Sequence, residues 1–152
     1  MSTVYTVQEE YERLLNEYLT DPNTERRTKG KKWIFDDLPA ATLGPAEYPR
    51  ISVMHVSSPS QQHEVGQTTQ RLNAKVEIQI RTLKNLKFNQ ETASKFINDL
   101  ALDVVDIIRS GTAYVDLRTN AGVFQTTLDQ ENIAFPNDMV IKSLIYSNIM
   151  KR

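Results

Sequence analysis

Between Arg71 and Arg81 the chain reads Arg-Leu-Asn-Ala-Lys-Val-Glu-Ile-Gln-Ile-Arg, apolar at every even position and polar or charged at every odd one. A period of two is the mark of a β-strand that turns one face to a core and the other to water. At ~3.3 Å per residue the run spans ~36 Å, about twice the usual strand. Upstream, Arg50 to Val56 reads as a second strand. Ile51 and Val53 share one face and Met54 and Val56 the other, so it is either buried on both sides or bulged. The stretch 57–69 is rich in Ser, Gln and Thr, with Pro59 and Gly66, and predicts a flexible hairpin tip. A fully formed hairpin of this length would overhang a small body and invite a neighbouring subunit.

Two helices are expected. In the first, Thr6 to Tyr18, one side carries Val7, Tyr11, Leu14, Leu15 and Tyr18, and the other carries Glu9, Glu10, Glu12, Arg13 and Glu17. Thr6 with Glu9 three residues on fits a capping box, and Pro22 in Asp21-Pro22-Asn23 ends the helix. The second starts at a cap on Asn89 and runs to Ser110, with Ala93, Phe96, Ile97, Leu100, Ala101, Val104, Val105 and Ile108 in one stripe. Burying each larger apolar side chain there contributes ~1.5–3 kcal/mol, against ~1–2 kcal/mol per residue for ordering the chain, so this helix needs a sheet beneath it. Gly111 is placed for a left-handed C-cap.

The remaining elements are shorter. Trp33-Ile34-Phe35 is an apolar cluster read as a strand, and Leu38 to Tyr48 is a connection long for a bare loop. Tyr114 to Leu117 reads as a short strand and Asn120-Ala121-Gly122 as a turn. Gly122 to Gln130 is a second short strand or a loop. Val140 to Ile149 satisfies a helical stripe, but its β-branched content and the preceding Pro136-Asn137-Asp138 favour a closing strand. The predicted class is α+β: one mainly antiparallel twisted sheet with a long hairpin, packed by an amphipathic helix and an N-terminal helix. All 152 residues form one domain, with a helix at 1–20, a basic link at 21–32 and the body at 33–152.

Chemistry is sparse in this sequence. There is no cysteine, which removes disulfides, thiolate metal sites and cysteine nucleophiles. His55 sits in a strand and His63 in the polar tip, a poor set for a triad or a metal. Five glycines form no phosphate-binding loop. Asp36 and Asp37 are adjacent and would point to opposite faces of a strand. Asp99, Asp103 and Asp106 share a helix face, as a metal-dependent nuclease would need, but the same spacing describes the wet side of an amphipathic helix. No cofactor and no metal is expected, and no enzyme. Eighteen Lys and Arg against nineteen Asp and Glu leave a formal charge of −1, less basic than a free-standing nucleic-acid binder. The one cationic cluster is Arg26, Arg27, Lys29, Lys31 and Lys32, read as a solvated link or as contacts to DNA phosphates. The first residues do not resemble a signal peptide and no apolar run reaches membrane length, so a soluble protein made inside the cell is expected.

Three segments carry a resemblance. Trp33-Ile34-Phe35-Asp36-Asp37, Tyr48-Pro49-Arg50-Ile51-Ser52-Val53 and Val76-Glu77-Ile78-Gln79-Ile80, in this order of elements, resemble the tail-terminator and tail-completion proteins of tailed phages, the head–tail joining or neck proteins. In that family an aromatic-Pro-basic-Ile opening of one strand, a variable hairpin loop and an alternating return strand precede a sheet-packed helix. The likeness runs from Trp33 to the C-terminus; Thr24 to Lys32 matches no family motif. It implies a non-enzymatic virion protein that forms a ring, often a hexamer, on the last ring of the tail tube. Such a ring stops tail polymerisation and mates with the head connector, after assembly in the host cytoplasm. Its partners would be copies of itself, the tail tube protein and the connector, with no membrane and with non-specific DNA contact in the channel left open. On that reading Tyr48, Arg50, His63, Gln67 and Arg71 are expected at subunit or partner interfaces. A different station in the neck, and a DNA-contacting adaptor, stay open as alternatives.

Overall fold

The computed structural model describes residues 4–39, 43–57, 60–61, 71–88 and 90–151. His63 and Gln67, two of the expected interface residues, and most of the 57–69 tip lie outside them, as does Asn89. The chain is α+β, with three α-helices among the described residues and a mixed, mainly antiparallel sheet. In order come α1 (Val4–Tyr18), β1 (Ile34–Phe35), β2 (Arg50–Ser57), β3 (Ser60–Gln61), β4 (Arg71–Leu83), α2 (Ala93–Ile108), α3 (Gly111–Ala121), β5 (Val123–Ala134) and β6 (Met139–Lys151). The sheet order is β1-β2-β4-β6-β5, with β3 beside β4. Only β1 and β2 run parallel.

The alternating run is the middle of the sheet. Ala74, Val76, Ile78 and Ile80 are fully buried, and the odd positions between them are half-exposed. The hairpin tip expected to overhang lies mostly outside the described residues. β6 is equally long and pairs β4 from Arg71↔Lys151 to Leu83↔Met139, so β4 is paired along its whole length on that side. In β2 the pairing with β4 shifts between His55 and Ser57, a bulge where the sequence allowed one. The Val140–Ile149 segment is a strand, although its apolar residues also fit a helix.

All three helices cover one face of the sheet. α1 buries Val7, Tyr11, Leu14 and Leu15, but Tyr18 is 48% exposed and Leu19 takes its place in the core. The helix starts before Thr6, which lies inside its first turns and not at its cap. α2 buries Ala93, Phe96, Ile97, Leu100, Ala101, Val104 and Ile108. Its N-cap is Thr92, whose hydroxyl accepts from the Lys95 amide, and not Asn89.

The largest departure from expectation lies at 110–121. Gly111 does not end α2; Arg109 closes it in right-handed geometry, and Ser110 caps a new helix. The Ser110 hydroxyl accepts from the Ala113 amide at 3.1 Å and donates to the Ile107 carbonyl at 2.7 Å, so one side chain serves both helix ends. Ala113, Leu117 and Ala121 recur every four residues and are buried, which explains why Tyr114 to Leu117 is helix and not strand. Gly122 ends α3 at φ 71°, the left-handed position that favours glycine. The strand after it runs to Ala134, well past the expected Gln130.

Asn148, fully buried on β6, ties the layers together. Its Oδ1 accepts from the Tyr11 hydroxyl of α1 at 2.5 Å and from Thr126 of β5 at 3.1 Å, and its Nδ2 donates to the Ala74 carbonyl of β4 at 3.0 Å. Tyr11 also packs edge-on against Tyr146, with ring centres 5.7 Å apart. Burial pushes both phenols above the ordinary tyrosine value, since the phenolate would be stranded in the core. The unfolded chain loses these protons near pH 10 while the folded chain keeps them, so stability falls as pH rises above about 10. Urea unfolding at stepped alkaline pH should show this fall, and Tyr11→Phe should make it shallower. An unchanged slope would put the alkaline loss elsewhere.

Candidate functional site

The basic link is built into the body at its centre. Arg27, with a side chain 1% exposed, donates to Asp21 Oδ1 at 2.9 Å, to the Ala46 carbonyl at 3.2 Å and to the Pro49 carbonyl at 2.5 Å. Its guanidinium also lies 5.4 Å from the centre of the Trp33 ring. Burial pulls its pKa down, and Asp21 works against that pull. A guanidinium enclosed in this way has no surface to offer a phosphate. Lys31 pairs with Glu47, Lys32 lies 3.7 Å from Glu12, and Arg26 stands 3.9 Å from Glu25. Of the five, Arg26, Lys29, Lys31 and Lys32 are exposed, on a segment that is less free and less uniformly basic than its sequence suggests.

Tyr48 and Arg50 belong to the same knot. Tyr48 is fully buried; Asn23 Nδ2 donates to its carbonyl at 2.6 Å, and its hydroxyl accepts from the Leu43 amide. Arg50, 7% exposed, donates to Asp37 at 2.9 Å and lies 3.7 Å over the Phe35 ring, which Lys32 approaches from 5.1 Å. Ser52 donates to the Asp37 carbonyl at 2.7 Å. The family-like segments around Trp33 and Tyr48 are thus in mutual contact, and in the single chain both Tyr48 and Arg50 are occupied internally. Arg71 opens β4 opposite Lys151.

The acidic row on α2 is engaged as well. Lys95 reaches Asp99 at 3.2 Å, and Arg109 reaches Asp106 at 3.2 Å. Partial burial, then Asp106 and Asp99, hold the Asp103 carboxyl above its ordinary range. No cluster of three or more metal-ligating side chains occurs among the described residues. No helix of the described residues is long and apolar enough to cross a membrane.

What the structure leaves open lies at β5 and β6. The face of β4 and β6 away from the helices shows Asn73, Lys75, Glu77, Gln79 and Arg81 beside Ile141, Ser143, Ile145, Ser147 and Ile149, all half-exposed. β5 ends the sheet order: β6 pairs one of its edges, and among the described residues no strand pairs the other. From Asp129 to Asp138 every residue is exposed, including Ile133 and Phe135. Beside the start of β5, an apolar groove of about 420 Å³ lies between α2, α3 and the sheet, lined by Val105, Ile108, Tyr114, Leu117, Leu128 and Tyr146. A plain alternation signal found β4, but nothing in the sequence marked this groove. It is made by α3, the helix that local pattern did not show.

No protein-family model matches this chain, and no curated protein shows a significant match to it.

Proposed function

We propose that this protein is a structural component of a phage virion, forming a ring at the head-proximal end of the tail that caps the tube and joins it to the head connector. The observation that carries the reading is the twelve-residue β5, a sheet edge with no partner strand among the described residues, continuing into a wholly exposed hairpin end. A long bare edge is a hazard in a protein that stays single, and a docking element in one that assembles. The half-exposed second face of the sheet, with its Ile141, Ile145 and Ile149 row, adds a second surface of the same kind. The family-like segments from Trp33 onward support the same assignment. Neighbouring copies meet through unlike surfaces, and a closing rotation makes the ring, with six as the expected number.

A ring that caps tubes binds their ends and not their walls. Tail tubes sheared to shorter lengths should therefore take up more protein in proportion to the number of ends, measured by co-sedimentation. Uptake that follows total tube mass, or none, would refute the capping role.

A further inference from the structure

We infer that the exposed end of the β5–β6 hairpin of one copy seats in the α2–α3 groove of the next copy, with Phe135 as the inserted side chain. This rests on the ring reading and names the contact that would build the ring. The hairpin end is made to present an aromatic residue. Phe135 is 51% exposed and Ile133 38%, two residues apart beyond the cover of the helices. The turn that follows is fixed: Lys84 Nζ donates to the carbonyls of Phe135 at 3.2 Å and Asn137 at 2.6 Å, and the Lys84 amide donates to the Asp138 carbonyl at 2.7 Å. An exposed aromatic on a preorganised turn loses little entropy on docking.

The groove matches it in size, polarity and charge. A volume of about 420 Å³ with aliphatic and aromatic walls accommodates a phenyl ring and a neighbouring aliphatic side chain. The Tyr146 hydroxyl, in a residue 4% exposed, has no hydrogen-bond partner among the described residues, and Tyr146 lines the groove. Arg109 lines the rim, and Arg118 donates to the hydroxyl of Tyr114 there at 3.2 Å. The hairpin end carries exposed Asp138. Among the described residues Arg109 is ion-paired to Asp106 alone, both side chains exposed, and such a pair exchanges at little cost. The end cannot reach its own groove. Phe135 lies seven residues beyond Leu128 on the same edge, one of them absorbed by the bulge after Leu128, so it is roughly 20 Å away at ~3.4 Å per step. Knob and hole on opposite ends of one hairpin give a head-to-tail contact, the kind that closes into rings.

The cysteine-free chain allows a direct test. Phe135→Cys protein mixed with Tyr114→Cys protein should form a disulfide-linked dimer under mild oxidation, and neither should pair with Leu102→Cys, an exposed control on α2. In sedimentation, Phe135→Asp should weaken self-association at least tenfold while leaving the melting temperature unchanged, because the residue is exposed. Equal crosslinking to the control, or a Phe135→Asp protein that associates like the wild type, overturns the contact and leaves the ring reading standing. A wild type that stays monomeric at every concentration also overturns the contact, and the tube-end experiment then decides the ring separately.

Discussion

Arg27→Ala should destabilise the protein by about 2–4 kcal/mol, because it removes a buried guanidinium that serves two backbone carbonyls and the partly exposed Asp21. The substitution leaves the Ala46 and Pro49 carbonyls and Asp21 without the guanidinium that now joins them, and takes one face from Trp33. Arg27→Lys should recover only part of the loss, since an ammonium on a single stem cannot reach three acceptors in a planar fork. Urea midpoints give the measurement. By contrast, neutralising exposed Lys29 should leave stability within about 0.5 kcal/mol, as for most surface changes. If Arg27→Ala unfolds at the wild-type midpoint, the knot around Trp33 and Tyr48 is not what orders the 21–50 segment.

Asn148→Leu is expected to cost about 2–5 kcal/mol, because it strands the Tyr11 hydroxyl, deprives Thr126 and leaves the Ala74 carbonyl without its side-chain donor. The instructive variant is the double one. Tyr11→Phe removes the stranded hydroxyl, so Asn148→Leu with Tyr11→Phe should be less damaging than the two losses added together. Simple additivity in a double-mutant cycle would mean that the 2.5 Å hydrogen bond between these side chains carries no coupling.

The contrast between these two sites and the sequence explains what could be read in advance. β4 was legible because its surroundings are uniform, core on one side and half-open on the other, so a strict alternation of Ala74, Val76, Ile78 and Ile80 survives. α2 was legible because seven of its residues face that core. α3 was not, because two of its three buried residues are alanines, while Tyr114 and Val115, which argue for a strand, point to solvent. β5 loses its period after Leu128 because both of its faces are exposed there. Arg27 looked like one of several cations in a link because its acceptors include two backbone carbonyls from 19 and 22 residues away, which no local pattern announces. The groove needs α3 and β5 together, so a local pattern that does not show the helix cannot show the cavity.

A common physical thread joins the open features. The interior is closed around Arg27, Asn148 and the α2 stripe, while apolar and hydrogen-bonding capacity remains at β5, at the hairpin end and in the groove. On the proposed reading, those surfaces meet other copies of the chain. The pairing of an aromatic end with an apolar hole gives the association a direction, and the bare edge of β5 supplies backbone groups that a neighbour can use.

Electron microscopy of negatively stained purified protein, alone and mixed with tail tubes, puts the claim of self-assembly to its most direct trial. Closed rings of uniform subunit number, free or seated at tube ends, are the predicted result. Single particles of monomer size in both preparations, with bare tube ends, would contradict it.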